Sequence, residues 1–147
     1  MARKTSLEQF QDLLAELKGE KLKPVYYVVS VESFFLDRIF EVVSAMVPAD
    51  QKDFNFDVLF GRETDMDQIV SIARSFPMMA DRRVLIVRDF MAVSEGVSVG
   101  RPEEIIPYLE NPNPTTLFVL IDEKAPPGNT KLGKALQKNE HVGFYKF

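Results

Sequence analysis

Pro24-Val25-Tyr26-Tyr27-Val28-Val29-Ser30-Val31-Glu32-Ser33-Phe34-Phe35-Leu36 is the stretch on which the reading of this chain turns. Val25 to Val29 is short, β-branched and aromatic, with no polar alternation. That is the signature of a strand covered on both faces, which belongs inside a parallel sheet. From Ser33 to Val47 the period changes, and Phe35, Ile39, Phe40, Val43 and Val47 recur at helical spacing until Pro48 stops the pattern. A buried strand feeding an amphipathic helix is the opening of an α/β unit.

Upstream, Leu7, Phe10, Leu13, Leu14 and Leu17 mark a helix ending near Gly19, with Thr5 and Glu8 or Ser6 and Gln9 placed to form a capping box. Downstream, Phe54, Phe56, Val58 and Phe60 alternate on one face of a half-exposed edge strand closed by Gly61. Thr64 or Asp65 caps a helix whose stripe is Met66, Ile69, Ile72, Ala73 and Phe76, and Pro77 ends it. Val84 to Val87 and Leu117 to Ile121 are two more fully apolar strands. Met91 to Arg101 reads as a surface loop, Pro102 to Glu110 as a helix limited or kinked by Pro107, Thr130 to Lys138 as a short basic helix, and Val142 to Lys146 as a last strand. This order predicts a three-layer α/β sandwich around a mainly parallel five-stranded sheet, one domain over residues 1–147. A chain that stops at Phe147, directly after a strand, is expected of a domain excised from a longer protein.

Eighteen Lys and Arg against 22 Asp and Glu give a net charge of −4, which disfavours a surface built as a whole to embrace nucleic acid. The absence of cysteine removes disulfides, thiol nucleophiles and Cys-ligated zinc, and the single histidine, His141, removes HExxH metal sites. Apolar runs of strand length and a polar start exclude a spanning helix and a signal peptide, so the expectation is a cytoplasmic protein off the membrane.

In a parallel sheet, ligand sites lie beyond the carboxyl ends of the strands. The loop after Val29 has neither the glycines for close backbone approach to a phosphate nor a lysine for its terminal oxygens, so no nucleotide cofactor is expected there. Asp122 and Glu123, which follow an apolar strand, and Asp89 define the competing class, a Mg²⁺-dependent nucleotide or phosphoryl-transfer enzyme, but no phosphate cradle accompanies them. Lys131, Lys134 and Lys138 share one helix face and define a weaker nucleic-acid reading, against the commoner role of a solvated face. One loop stands out. Pro77-Met78-Met79-Ala80-Asp81-Arg82-Arg83 puts adjacent methionines where a polar turn is normal, either as an apolar plug for a partner's pocket or as side chains folded back on the sheet end.

The Pro24–Leu36 string is similar to the opening of the delta subunit of the bacterial DNA polymerase III clamp loader. Phe56-Asp57-Val58-Leu59-Phe60-Gly61, the run Phe76 to Val87, Tyr108 to Leu117 and Lys131 to Lys138 resemble later parts of that family in the same order. The resemblance implies a nucleotide-hydrolase-like α/β fold that has lost its phosphate loop, with no catalytic residue, cofactor or metal. It also implies an apolar pair, falling on Met78 and Met79 beside Pro77, that enters a hydrophobic pocket of the ring-shaped sliding clamp and opens the ring or holds it open. Ser30 stands where the family usually has glycine, and Met-Met replaces the more usual bulky apolar pair. The helical lid and collar regions that join delta to the other loader subunits would lie outside these residues, and direct DNA contact is not expected of them.

Overall fold

Five strands, β1 (Val25–Val29), β2 (Phe56–Phe60), β3 (Arg83–Arg88), β4 (Thr116–Asp122) and β5 (Val142–Lys146), form one sheet in the order β2-β3-β4-β1-β5. Every pairing is parallel. The structure is a computed structural model that describes residues 4–95 and 100–147. Because side chains alternate across a strand, each inner strand feeds two cores. Tyr26, Val28, Ile86 and Val119 point to one face, where α1 (Ser6–Lys18) contributes Phe10, Leu13 and Leu17 and α2 (Ser33–Ser44) contributes Ile39 and Val43. Tyr27, Leu85, Val87 and Leu120 point to the other, where α4 (Met66–Arg74), α5 (Ile106–Glu110) and α6 (Lys131–Lys138) supply Ile69, Leu109 and Leu136. The three-layer sandwich follows directly, with β1 inside the sheet and β2 at an edge.

Helix starts obey local chemistry. Thr5 Oγ1 accepts from the Glu8 N–H at 3.1 Å, Asp65 Oδ1 from the Gln68 N–H at 2.7 Å, and Thr130 Oγ1 from the Gly133 N–H at 3.0 Å. Helix α1 is tied to the sheet by Glu16, whose carboxylate accepts from the Tyr26 hydroxyl at 2.8 Å and from the Tyr145 hydroxyl.

Four local expectations need correction. Phe54 and Asn55 end a short helix, α3 (Lys52–Asn55), so β2 begins at Phe56 and the alternating face loses its first member. Phe76 is 75% exposed, because the chain turns extended at Ser75 and takes Phe76 off the helical stripe. The segment Phe90–Glu95 is a 3-10 turn with Phe90 and Val93 buried rather than an open loop, while residues 96–99 of that expected loop lie outside the described residues. Finally, Pro102–Ile105 is a 3-10 turn, and α5 starts only at Ile106, with Pro107 in its first turn where no N–H is required.

Candidate partner-binding site

The turn that carries Met78 and Met79 lies between the end of α4 and the start of β3, at the edge of the sheet opposite the one where α/β folds place ligands. Phe76, Met78 and Met79 are three exposed large apolar side chains within four residues. Met78 is 56% exposed and Met79 is 95% exposed, so neither folds back onto the sheet end. Met79 also adopts φ 53°, the left-handed region, which costs a non-glycine residue about 1 to 2 kcal/mol. Such a conformation persists only where its surroundings hold it.

Asn55 does much of the holding. It is fully buried, and its side-chain amide faces the Met78 peptide as a pair of hydrogen bonds: Nδ2 donates to Met78 O and Oδ1 accepts from Met78 N, both at 2.7 Å. The stem of the turn is braced as well. Arg83 Nη1 meets Asp57 Oδ2 at 3.2 Å and Nη2 reaches Phe76 O at 3.5 Å. Asn113, also buried, donates from Nδ2 to Ala73 O and Ser75 O, and the Tyr108 hydroxyl donates to Ala73 O at 3.3 Å. Carbonyls at the end of α4, which lack helical partners, are thereby satisfied by Tyr108 on α5 and by Asn113 in the loop that follows it. The result is an apolar tip on a fixed base. No local sequence signal marks Asn55, since its partner lies 23 residues away.

The opposite edge holds the residues of the competing reading. Ser30 is buried, its Oγ accepts from the Glu32 N–H at 3.0 Å, and its own N–H donates to Asp122 O at 3.0 Å. Only Ser30, Val31 and Glu32 separate β1 from α2, a turn too tight to surround a phosphate. Asp122 is buried with both carboxylate oxygens engaged, Oδ2 by the Tyr27 hydroxyl at 2.8 Å and Oδ1 by the Met91 N–H at 3.1 Å. Burial pushes its pKa up to about 6, with the charge of Asp89 adding to the rise and the hydrogen bonds from Tyr27 and Met91 opposing it. Glu123 and Asp89 point to solvent, and among the described residues no three Asp, Glu or His side chains gather as a metal site would require. Asp122 thus acts as a brace between β1, β4 and the 3-10 turn after β3.

Lys131, Lys134 and Lys138 are exposed along α6, as a solvated face would be, and His141 turns before β5 with its N–H on Asn139 Oδ1 at 2.8 Å.

This frame is an α/β fold with an all-parallel five-stranded sheet, in which a tight serine turn follows β1. The family model described as DNA polymerase III, delta subunit, matches residues 33–144, and the chain belongs to that family. DNA polymerase III subunit delta of Bacillus subtilis is 30% identical over 139 residues, which cover 87% of this chain and 39% of that protein. The solved structure of the Bacillus subtilis DNA clamp loader delta protein resembles it with a TM-score of 0.80 at 28% identity, covering 93% of this chain and 42% of that one. The chain therefore spans about two fifths of the length of these relatives. Among the described residues, no helix is long and apolar enough to cross a membrane.

Proposed function

We propose that this chain is the sliding-clamp-binding part of a clamp-loader delta subunit in DNA replication, a binding module rather than an enzyme, and that Pro77, Met78 and Met79 form the plug that enters an apolar pocket of the clamp. The observation that carries the reading is the tip itself: two adjacent methionines are left in water by a turn whose backbone is held by a buried asparagine. Covering a Met fully is worth about 1.5 to 3 kcal/mol, so this exposure is a standing free-energy source for association. An unbranched thioether also adapts to an irregular pocket.

A plug opens a ring only by differential binding. Its contacts must be stronger with the open ring than with the closed one, and the shift in population equals that difference. A tip fixed before contact serves this purpose, because little ordering entropy is lost when it docks. The other loader subunits would join through parts of the protein beyond these residues. The test is to mix the chain with the sliding clamp of its own organism and follow co-elution on gel filtration. A shared peak that disappears for Met78→Ala with Met79→Ala supports the reading, and separate elution of the parent chain at micromolar concentrations overturns it.

A further inference from the structure

The plug is apolar, yet a cationic groove begins three residues beyond it. Arg82 is half-buried, and among the described residues no carboxylate or hydrogen-bond acceptor meets its guanidinium. The neighbouring Arg83, by contrast, is paired with Asp57. Arg82 lies where three surface grooves meet, one of which is lined by Lys18, Arg38 and Glu41. A second runs back to the tip and is lined by Met79, Ala80, Asp81 and Pro48. The third crosses the edge of the sheet from which the strands start, and among the described residues its lining includes Lys23, Pro24, Pro112, Pro114 and His141 but no acid. Lys23 and His141 are half-buried too, and among the described residues the one carboxylate within ion-pair distance of either is that of Glu140, 3.6 Å from His141 Nε2.

We infer that this groove, with Arg82 at its junction and Lys23 along it, takes an acidic segment of the same protein partner that receives Met78 and Met79, an inference that rests on the plug reading. Charge complementarity carries it. The chain as a whole is negative by four, so an acid-free groove with unpaired, half-buried cations departs from the average surface in the direction that attracts carboxylates. Partial burial strengthens the case, since a guanidinium with part of its hydration removed gains more from a carboxylate than a fully solvated one does. The prolines fix the groove walls before docking, and the shared Arg82 makes groove and tip one continuous surface. The apolar plug then supplies most of the affinity, while the groove supplies orientation and association rate.

The experiment measures clamp affinity and its salt dependence for the parent chain, Arg82→Ala, Arg82→Glu, Lys23→Glu and Met79→Ala, with a DNA duplex as a parallel probe. The expected result is that Arg82→Glu weakens clamp binding about tenfold, Arg82→Ala and Lys23→Glu weaken it less, and each flattens the salt dependence, whereas Met79→Ala lowers affinity and leaves the salt slope in place. If the parent binds no clamp, the plug reading fails and takes this inference with it. If the parent binds and loses affinity in Met79→Ala, yet Arg82 and Lys23 variants match it at every salt concentration, the groove inference alone is overturned. Duplex binding that Arg82→Glu abolishes, with clamp binding intact, assigns the groove to nucleic acid and also overturns it.

Discussion

Asn55 grips the Met78 peptide at both of its polar atoms, with Nδ2 on the carbonyl and Oδ1 on the N–H at 2.7 Å each, so one buried side chain sets the conformation of an exposed turn. Replacing Asn55 with alanine strands two backbone groups at the base of the tip. A buried polar group left without a partner costs about 1 to 3 kcal/mol, and the αL conformation of Met79 would lose its restraint. Asn55→Ala is therefore expected to lower the unfolding free energy by about 2 kcal/mol and to speed hydrogen exchange at the Met78 amide. Asn55→Asp is the sharper variant: it still accepts from the Met78 N–H but sets a carboxylate oxygen against the Met78 carbonyl. Melting curves with amide exchange check both: unchanged protection at Met78 in Asn55→Ala, or unchanged stability in Asn55→Asp, would contradict the role assigned to Asn55.

The methionines themselves should matter little to folding. At 56% and 95% exposure, Met78→Ala with Met79→Ala creates no cavity, so the melting temperature should stay close to that of the parent, whereas truncating a core methionine would cost about 2 to 5 kcal/mol. Clamp affinity should fall at least about thirtyfold, equivalent to about 2 kcal/mol, as for an interface anchor. Phe76→Ala, at a position 75% exposed, should likewise spare stability, although the helical repeat in the sequence assigns it to the core. Thermal unfolding and a binding titration on the same three proteins decide the matter.

Where the sequence was informative, burial was total and local. Val25–Val29 and the run from Leu117 to Ile121 are buried along their whole length, and such runs are apolar at every position, which makes them visible without knowledge of their neighbours. The same is true of the helix stripes that end at Leu17 and Ala73. What stayed hidden depends on distant partners. Asn55 falls at a polar place in an alternating run and so reads as exposed, yet it is fully buried because Met78 satisfies it from 23 residues away. Phe76 continues a spacing that the backbone abandons at Ser75. The Met78–Met79 pair was legible as an anomaly of composition, while its exposure had two readings until the turn was seen.

Gly133 reverses a rule of helix propensity. Inside α6 it should weaken the helix by about 1 kcal/mol relative to alanine, which makes Gly133→Ala look stabilising. However, a Cβ at this position would lie 2.0 Å from the Pro127 carbonyl oxygen, and that oxygen is fixed by the Thr130 hydroxyl at 2.6 Å and the Thr130 N–H at 3.1 Å. The turn and the helix approach so closely that only glycine fits. Gly133→Ala is expected to destabilise the fold by about 1 to 3 kcal/mol, the usual range for forcing atoms into a packed contact. Urea denaturation measures it, and a gain in stability would show that the Pro127 turn yields more readily than its hydrogen bonds suggest.

Asp122 should give the fold an unusual dependence on pH. Its carboxyl titrates near 3.8 in an open chain and is pushed up to about 6 in the fold, chiefly by burial. Between these values the native state binds a proton that the unfolded state has released, so stability falls as pH rises. The contribution is complete below about pH 4 and is lost as pH climbs through about 6, an effect on the order of 3 kcal/mol at most. Surface acids titrate over the same range, so the informative quantity is the difference between the parent and Asp122→Asn. Asparagine stays neutral at every pH and can keep both contacts, with its oxygen accepting from the Met91 N–H and its amide donating to the Tyr27 hydroxyl, which accepts as well as it donates. Relative to the parent, Asp122→Asn should therefore gain stability progressively from pH 4 to 7 and level off above. Parallel stability curves for the two proteins across that window would show that the Asp122 carboxylate is accommodated without penalty, and the brace at this edge of the sheet would then be insensitive to its charge.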